Sequence, residues 1–164
     1  MVTIIVEDGT GLPDSNSYID VSFVKKYAED RGVDLGSDEV ISANLILAAD
    51  YMSTQGPFKG SVVSPAQALD FPRKGLYVHG EPFTGVPQKV MKAQAQLLLD
   101  IKESGALMVT SRQYALKKRA LEGLVQEWAV GAHAQYKPNA SHAMFQSLMA
   151  DYKNGTFGQA STYR

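Results

Sequence analysis

Residues 64–74, S-P-A-Q-A-L-D-F-P-R-K, place two prolines, a phenylalanine and a basic pair between two long helical patterns. Pro65 suits the first turn of a helix, because its φ is already near the helical value, and Ser64 precedes it as an N-cap. The proline after Phe71 disfavours helical geometry at that residue. The stretch therefore predicts one turn of helix in a packed corner, with Leu69 and Phe71 buried against the long helices.

Long helical patterns flank this corner on both sides. Upstream, apolar residues cover most of the circumference of a helix over 37–52, which predicts a central position, and Gly56-Pro57 ends it. Downstream, Pro87 opens a helix over 87–104 that would be about 25 Å long at 1.5 Å per residue. Its polar residues, which include Gln94, Gln96 and Asp100, are expected away from its apolar face.

The amino-terminal residues combine a β-branched run with a turn-rich segment. Residues 2–6 (V-T-I-I-V) predict a short strand, and residues 7–17 predict an ordered loop. Gly9 and Gly11 form G-x-G without the third glycine or the lysine of a nucleotide loop, so a phosphate-binding loop is excluded.

Two more helices follow from the apolar spacing. Residues 18–31 predict a helix with Asp20 as its N-cap and Gly32 just past its end. Residues 141–153 predict a last amphipathic helix. Residues 75–85 contain three glycines and one proline and predict a loop.

The segment 107–130 fits two structures. Four-residue steps favour a helix, whereas its β-branched and aromatic residues favour two strands over 109–118 and 121–129. Gly123 sits poorly inside a helix, so a hairpin is preferred. The helical steps are Leu116, Ala120, Leu124 and Trp128.

These elements indicate a mainly α (α+β) fold: a bundle of about four helices with a short N-terminal strand and a β-hairpin around 109–129. At 164 residues the chain is long enough to form one hydrophobic core without disulfides or bound metals. We expect a single domain over 1–153. Residues 154–164 are expected to form an extended C-terminal arm that orders on a partner.

Composition excludes several classes of protein. The net charge of −1 and the pI of about 6.3 give no global attraction to nucleic acid. No cysteine is present, so disulfides, thiolate metal sites and cysteine nucleophiles are excluded. No run of apolar residues predicts a membrane span, and the amino terminus does not resemble a signal peptide. We expect a soluble protein that stays in the cell that made it.

Residues for catalysis are not grouped in the sequence. His79, His133 and His142 have no metal-ligand spacing, and no G-x-S-x-G elbow occurs. Neighbouring carboxylates point to different sides of a helix and fit solvated surfaces better than acid–base work. We therefore expect neither an enzyme, a metal site nor a cofactor.

A cluster of basic residues over 112–119 is a candidate for contact with DNA phosphates in a channel. Tyr114 and Trp128 lie near it and offer rings for base stacking. A short charge run is more often a solvated surface, and a lone tryptophan is more often an anchor, so contact with protein is favoured. The channel candidates are Arg112, Lys117, Lys118 and Arg119, and the interface candidates are Phe71, Arg73, Trp128, Phe157 and Tyr163.

Three stretches carry a resemblance: residues 3–19 (T-I-I-V-E-D-G-T-G-L-P-D-S-N-S-Y-I), 64–73 (S-P-A-Q-A-L-D-F-P-R) and 86–94 (V-P-Q-K-V-M-K-A-Q). Together they resemble a family of tailed-phage proteins often labelled DnaT-like single-stranded DNA-binding proteins, which are similar to head–tail connectors. The match is good over about 2–104, whereas the rest agrees in outline, with strands near 112–118 and 121–128 and then a helix.

This resemblance implies a structural adaptor in the virion neck, made in the host cytoplasm. The subunits would form a homo-oligomeric ring, commonly a dodecamer, between the portal protein and a downstream neck or tail protein. DNA would pass non-specifically through the lumen, and no membrane would be involved. The alternative is a DnaT-like single-stranded DNA-binding protein in phage replication.

Overall fold

A computed structural model describes residues 2–78, 80–104, 119–121, 124–126 and 140–154. Helices dominate this part of the chain, and three two-stranded antiparallel sheets accompany them, which confirms the α+β class. The helices are α1 (Val21–Glu29), α2 (Asp38–Ser53), α3 (Gln88–Ser104), α4 (Ala140–Met149) and the 3-10 turn Ala150–Tyr152. The strands are β1 (Ser61–Val62), β2 (Arg73–Lys74), β3 (Leu76–Val78), β4 (Glu81–Phe83), β5 (Arg119–Leu121) and β6 (Leu124–Gln126).

The predicted caps of helix α1 are confirmed, although the helix itself covers residues 21–29 of the predicted 18–31. The Asp20 carboxylate accepts a hydrogen bond from the Phe23 N–H at 2.7 Å. After the helix, Gly32 adopts a φ of +68°. The N–H groups of Gly32 and Val33 donate to the carbonyls of Glu29 and Ala28, which is the bond pair of a Schellman turn.

Helix α3, rather than α2, is the central helix. It packs against each of the other three helices and is buried along most of its length. Helix α2 packs against α1 and α3 and also reaches α4, where the ring centroid of Tyr51 is 5.8 Å from that of Phe145. Two apolar residues on the far side of α2, Val40 and Leu47, remain 51% and 49% exposed. The prediction that α2 is central was wrong, because an apolar circumference does not reveal which side finds a neighbour.

The central position of α3 also overturns one prediction about its polar residues. Gln94, Gln96 and Asp100 are buried instead of lying off the core. Gln96 donates to an Asp100 carboxylate oxygen at 2.9 Å and accepts from the Tyr27 hydroxyl at 3.3 Å. A helix covered on several sides keeps polar residues inside when they find partners.

Two predictions about strands were wrong. Residues 2–6 form no regular strand, because only Val6 pairs, in an isolated bridge with Ser17. The predicted loop over 75–85 contains the β3–β4 hairpin, whose register pairs Leu76 with Phe83 and Val78 with Glu81. The glycines and the proline of this segment predicted a loop, and the three residues L-Y-V are too short a run to predict a strand against them.

The predicted hairpin around 109–129 is present, with strands at other positions than predicted. Strands β5 and β6 pair Arg119 with Gln126 and Leu121 with Leu124, so positions 122–123 connect them. The predicted break at 119–120 was therefore wrong, because both positions lie in β5. Helix α4 and the 3-10 turn confirm the helix over 141–153, with a tightened last turn. The arm over 154–164 lies outside the described residues beyond Asn154.

The corner at 64–74 holds a hydrogen-bonded turn instead of the predicted turn of helix. The Gln67 N–H donates to the Ser64 carbonyl at 3.3 Å. The Gln67 side chain accepts from the Val63 and Ser64 N–H groups and donates to the carbonyls of Leu69 and Pro72. These side-chain bonds offer the backbone an alternative to helical hydrogen bonds.

Candidate functional site

The amino-terminal loop wraps around a buried carboxylate. The Glu7 side chain accepts hydrogen bonds from the N–H groups of Gly9, Gly11 and Leu12 at 2.8–3.0 Å and from the Ser15 hydroxyl at 2.9 Å. Gly9 and Gly11 have φ values of +96° and +84°, which other residues rarely adopt. The loop therefore binds its own glutamate, so its glycines serve the fold.

A single amide of α3 joins this loop to the helices. The Gln94 oxygen accepts from the Tyr18 N–H at 2.9 Å. Its nitrogen donates to the Ser17 hydroxyl at 3.0 Å and to the Leu45 carbonyl at 2.9 Å. Because Gln94 is fully buried, these partners replace the water that its amide would otherwise bind.

The corner joins the same region from the other side. The Ala68 N–H donates to the Leu12 carbonyl at 3.0 Å, and the Phe71 N–H donates to the Tyr18 hydroxyl at 3.4 Å. Burial raises the pKa of the Tyr18 phenol. The three stretches on which the resemblance rests thus meet in space, and we call their meeting point, built on Glu7, Tyr18, Gln67, Phe71 and Gln94, the motif junction.

Phe71 lies at the centre of an aromatic cluster. Its ring centroid is 6.2 Å from Tyr18, 5.2 Å from Phe58 and 5.8 Å from Tyr152, in tilted or edge-on arrangements. The side chain is 1% exposed. The predicted burial of Phe71 is confirmed, and its ring is not available for the contact with another subunit proposed from sequence.

Arg73 is held by backbone carbonyls. Its guanidinium donates to the carbonyls of Lys59 at 2.7 Å, Gly60 at 2.8 Å, Asp70 at 3.1 Å and Phe58 at 3.3 Å. A planar fork of donors suits this arrangement. These bonds show that Arg73 holds the corner together, whereas its role as an interface residue stays a prediction.

The other predicted site residues are not brought together by the described structure. Arg119 lies in β5, and His142 lies in α4. The remaining candidates fall outside the described residues: Arg112, Lys117, Lys118, Trp128, Phe157 and Tyr163, together with His79 and His133.

Acidic and basic residues are distributed unevenly along the chain. The sequence motifs did not reveal this distribution. Residues 1–104 hold nine basic and fourteen acidic residues. Residues 105–139, which include β5 and β6, hold five basic and two acidic residues. The near-neutral total therefore combines an acidic helical part with a basic hairpin segment, and the latter is where an anionic polymer would be attracted.

A cavity of about 540 Å³ opens between α1 and α2. Lys25, Glu29, Asp34, Leu35 and Ile41 are among its lining residues, which include no serine, histidine or tyrosine. Lys25 forms an ion pair with Asp38. Across the described part of the chain, no group of three or more metal-binding side chains is present.

Residues 2–164 match the protein family described as "Putative DnaT-like ssDNA binding protein". The chain belongs to this family. The match spans both the motif junction and the basic segment. No curated protein and no solved structure matches the chain. Among the described residues, no helix is long and apolar enough to cross a membrane.

Proposed function

We propose that this protein is a head-to-tail adaptor of a tailed phage. Its subunits form a ring, with twelve copies as the expected number, between the portal protein and a downstream neck or tail protein. The observation that supports this most is the presence of large exposed apolar residues on separate elements, Val40 and Leu47 on α2 and Tyr77 on β3. A ring subunit needs two different surfaces, because each copy contacts the next by rotation.

The uneven charge supports a passage for DNA in such a ring. The segment 105–139 carries the positive charge and contains Lys117, Lys118 and Arg119. Contacts from such residues to phosphates carry no sequence information. DNA therefore passes the lumen without being recognised by sequence, while the acidic helical part stays away from it.

Co-assembly with the portal protein tests this function. The adaptor and the portal protein of the same phage are mixed, and complexes are examined by native mass spectrometry and negative-stain microscopy. We expect a ring of adaptor on the portal, and adaptor in purified virions at portal stoichiometry. Absence of the protein from purified virions would rule the adaptor function out.

A second candidate, binding of single-stranded DNA in replication, is favoured by the family description and by the same basic segment. It predicts affinity for an oligonucleotide that falls steeply with salt. Alanine at Lys117, Lys118 and Arg119 would then weaken binding, whereas alanine at three lysines of the helical part would not. Those control residues are Lys26, Lys92 and Lys102. If fluorescence anisotropy detects no binding at low salt, this candidate is excluded.

A further inference from the structure

The outer side of α2 is apolar and bordered by acid. Val40, Ala43 and Leu47 follow one another at three- and four-residue spacing and are all exposed. Glu39 and Asp50 lie along one border of this surface by the same periodicity. The helix contains no lysine or arginine. We call Val40, Ala43, Leu47, Glu39 and Asp50 the α2 stripe.

A second exposed surface has the opposite charge. Tyr77 on β3 is 67% exposed and shares a pocket of about 340 Å³ with Lys59 and Lys89. Lys74, three residues before Tyr77, is also exposed. Lys59 donates to the Asp151 carbonyl, and Lys89 pairs with the Asp151 carboxylate. The lining of the pocket therefore contains two lysines and one carboxylate, which leaves it with a net positive charge.

We call Tyr77, Lys59 and Lys89, with the exposed Lys74 close by in sequence, the Tyr77 patch. It differs from the α2 stripe in the shape of its apolar part and in the sign of its charge. Glu81, also exposed, lies at the turn end of the hairpin opposite Val78. The two surfaces therefore suit each other better than either suits a copy of itself.

We infer that the α2 stripe of one subunit binds the Tyr77 patch of the next copy of this chain. The inference rests on the proposed ring and names the two surfaces that form it. An exposed tyrosine is a typical interface anchor, because it buries a large rigid ring at low entropic cost. Lysines facing carboxylates fix the orientation of the contact and exclude self-pairing of either surface.

Disulfide cross-linking tests the contact directly, because the chain has no cysteine of its own. The double variant Leu47→Cys/Tyr77→Cys should give a ladder of linked oligomers under mild oxidation. Each single variant should stay unlinked, and an equal mixture of the two singles should stop at linked dimers. Met144→Cys/Tyr77→Cys is the matched control, since Met144 is also exposed but lies on α4.

Charge exchange provides a second measurement. Glu39→Lys/Asp50→Lys alone and Lys59→Glu/Lys74→Glu alone should each lose oligomers, because like charges then face each other. An equal mixture should recover them as rings with alternating subunits. Asp30→Lys/Glu103→Lys and Lys26→Glu/Lys102→Glu make the same charge changes elsewhere and should leave assembly unchanged. Thermal melting checks that each variant folds, and Lys74→Glu alone replaces the double variant if loss of Lys59 unfolds it.

The outcomes separate this inference from the adaptor function. Rings on the portal without linkage between Leu47→Cys and Tyr77→Cys overturn the inference and leave the adaptor function standing. Absence of oligomers both in solution and on the portal overturns both. Linkage in the double variant, with none in the control pair, supports the named contact.

Discussion

The motif junction and the α2 stripe differ in almost every respect. The junction consists of buried or half-buried polar and aromatic side chains whose hydrogen bonds are made inside the subunit. The α2 stripe consists of common apolar residues and two bordering carboxylates, all exposed. The distinctive sequence thus lies where the fold is determined, and the surfaces available to partners carry no motif.

This contrast explains why the resemblance identifies a family without identifying a binding site. Gly9 and Gly11 are distinctive because Glu7 needs their N–H groups, and no partner is required for that. Val40 and Leu47 are ordinary helix residues whose significance appears only when their surroundings are known. Substitutions on the two sides of the contrast should therefore have opposite consequences for stability and assembly.

The largest expected effect is on stability and comes from the centre of the aromatic cluster. Phe71→Ala should lower the free energy of unfolding by about 3–5 kcal/mol, because a fully buried ring leaves a cavity. Tyr77→Ala is the control and should change it by about 0.5 kcal/mol or less, since an exposed residue loses little packing. Urea unfolding followed by circular dichroism measures both. A similar loss of unfolding free energy in the two variants would contradict the difference between the motif junction and the exposed surfaces.

Removing the carboxylate at the centre of the amino-terminal loop should have the next largest effect. Glu7→Ala leaves three N–H groups and one hydroxyl without their charged acceptor and should cost about 3 kcal/mol. Asp8→Ala is the matched control, because Asp8 is exposed and bonds only to Thr10 among the contacts described. Hydrogen exchange at Gly9, Gly11 and Leu12 should accelerate in the first variant alone. Protection that persists in Glu7→Ala would show that the loop is held by other contacts.

A smaller loss is expected at the corner. Arg73→Ala should cost about 1–3 kcal/mol, since four carbonyls lose a charged donor and water can replace only part of it. Arg73→Lys should recover little, because an ammonium group cannot reproduce the planar fork. The neighbouring Lys74→Ala should leave the melting temperature unchanged. If Arg73→Ala instead melts like the wild type but fails to assemble, the interface role predicted from sequence is supported.

The smallest effect is confined to alkaline solution. Burial raises the pKa of Tyr18, so its phenol stays protonated in the folded state when the unfolded phenol ionises. The stability from this group is fully present below the ordinary pKa of about 10 and falls above it, by at most about 1.4 kcal/mol per pH unit. Tyr18→Phe should flatten the loss of stability above that pH, and Tyr77→Phe should not. Burial also raises the pKa of Tyr27 and Tyr152, so part of the slope should remain.

Helices were predictable from sequence because their apolar spacing and caps are local signals. Asp20, Gly32 and Pro87 marked helix ends to within a few residues. The hairpin at β3–β4 was missed because three-residue strands give too short a pattern to outweigh nearby glycines. The turn at 64–74 was missed because the Gln67 side chain competes for backbone groups, which propensity rules do not count.

The burial of Gln94 and Asp100 depends on which helix is surrounded, and that is a property of the assembled fold. The α2 stripe and the Tyr77 patch could not be predicted from the sequence either. Periodicity placed Val40 and Leu47 in an apolar helix but did not reveal that their side of α2 stays open. The basic cluster was visible in sequence, yet only Arg119 of its four members lies within the described residues.

The Gln94 side chain also bears on the order in which the molecule folds. Its bonds to Ser17, Tyr18 and Leu45 span between 49 and 77 positions of sequence. Contacts so distant form late, because the loop they close must first lose its freedom. The amino-terminal loop, synthesised first, should therefore be fixed only after α3 has docked. Pulse-labelling hydrogen exchange during refolding should show α3 protected before residues 9–18, and Gln94→Ala should delay protection of that loop alone.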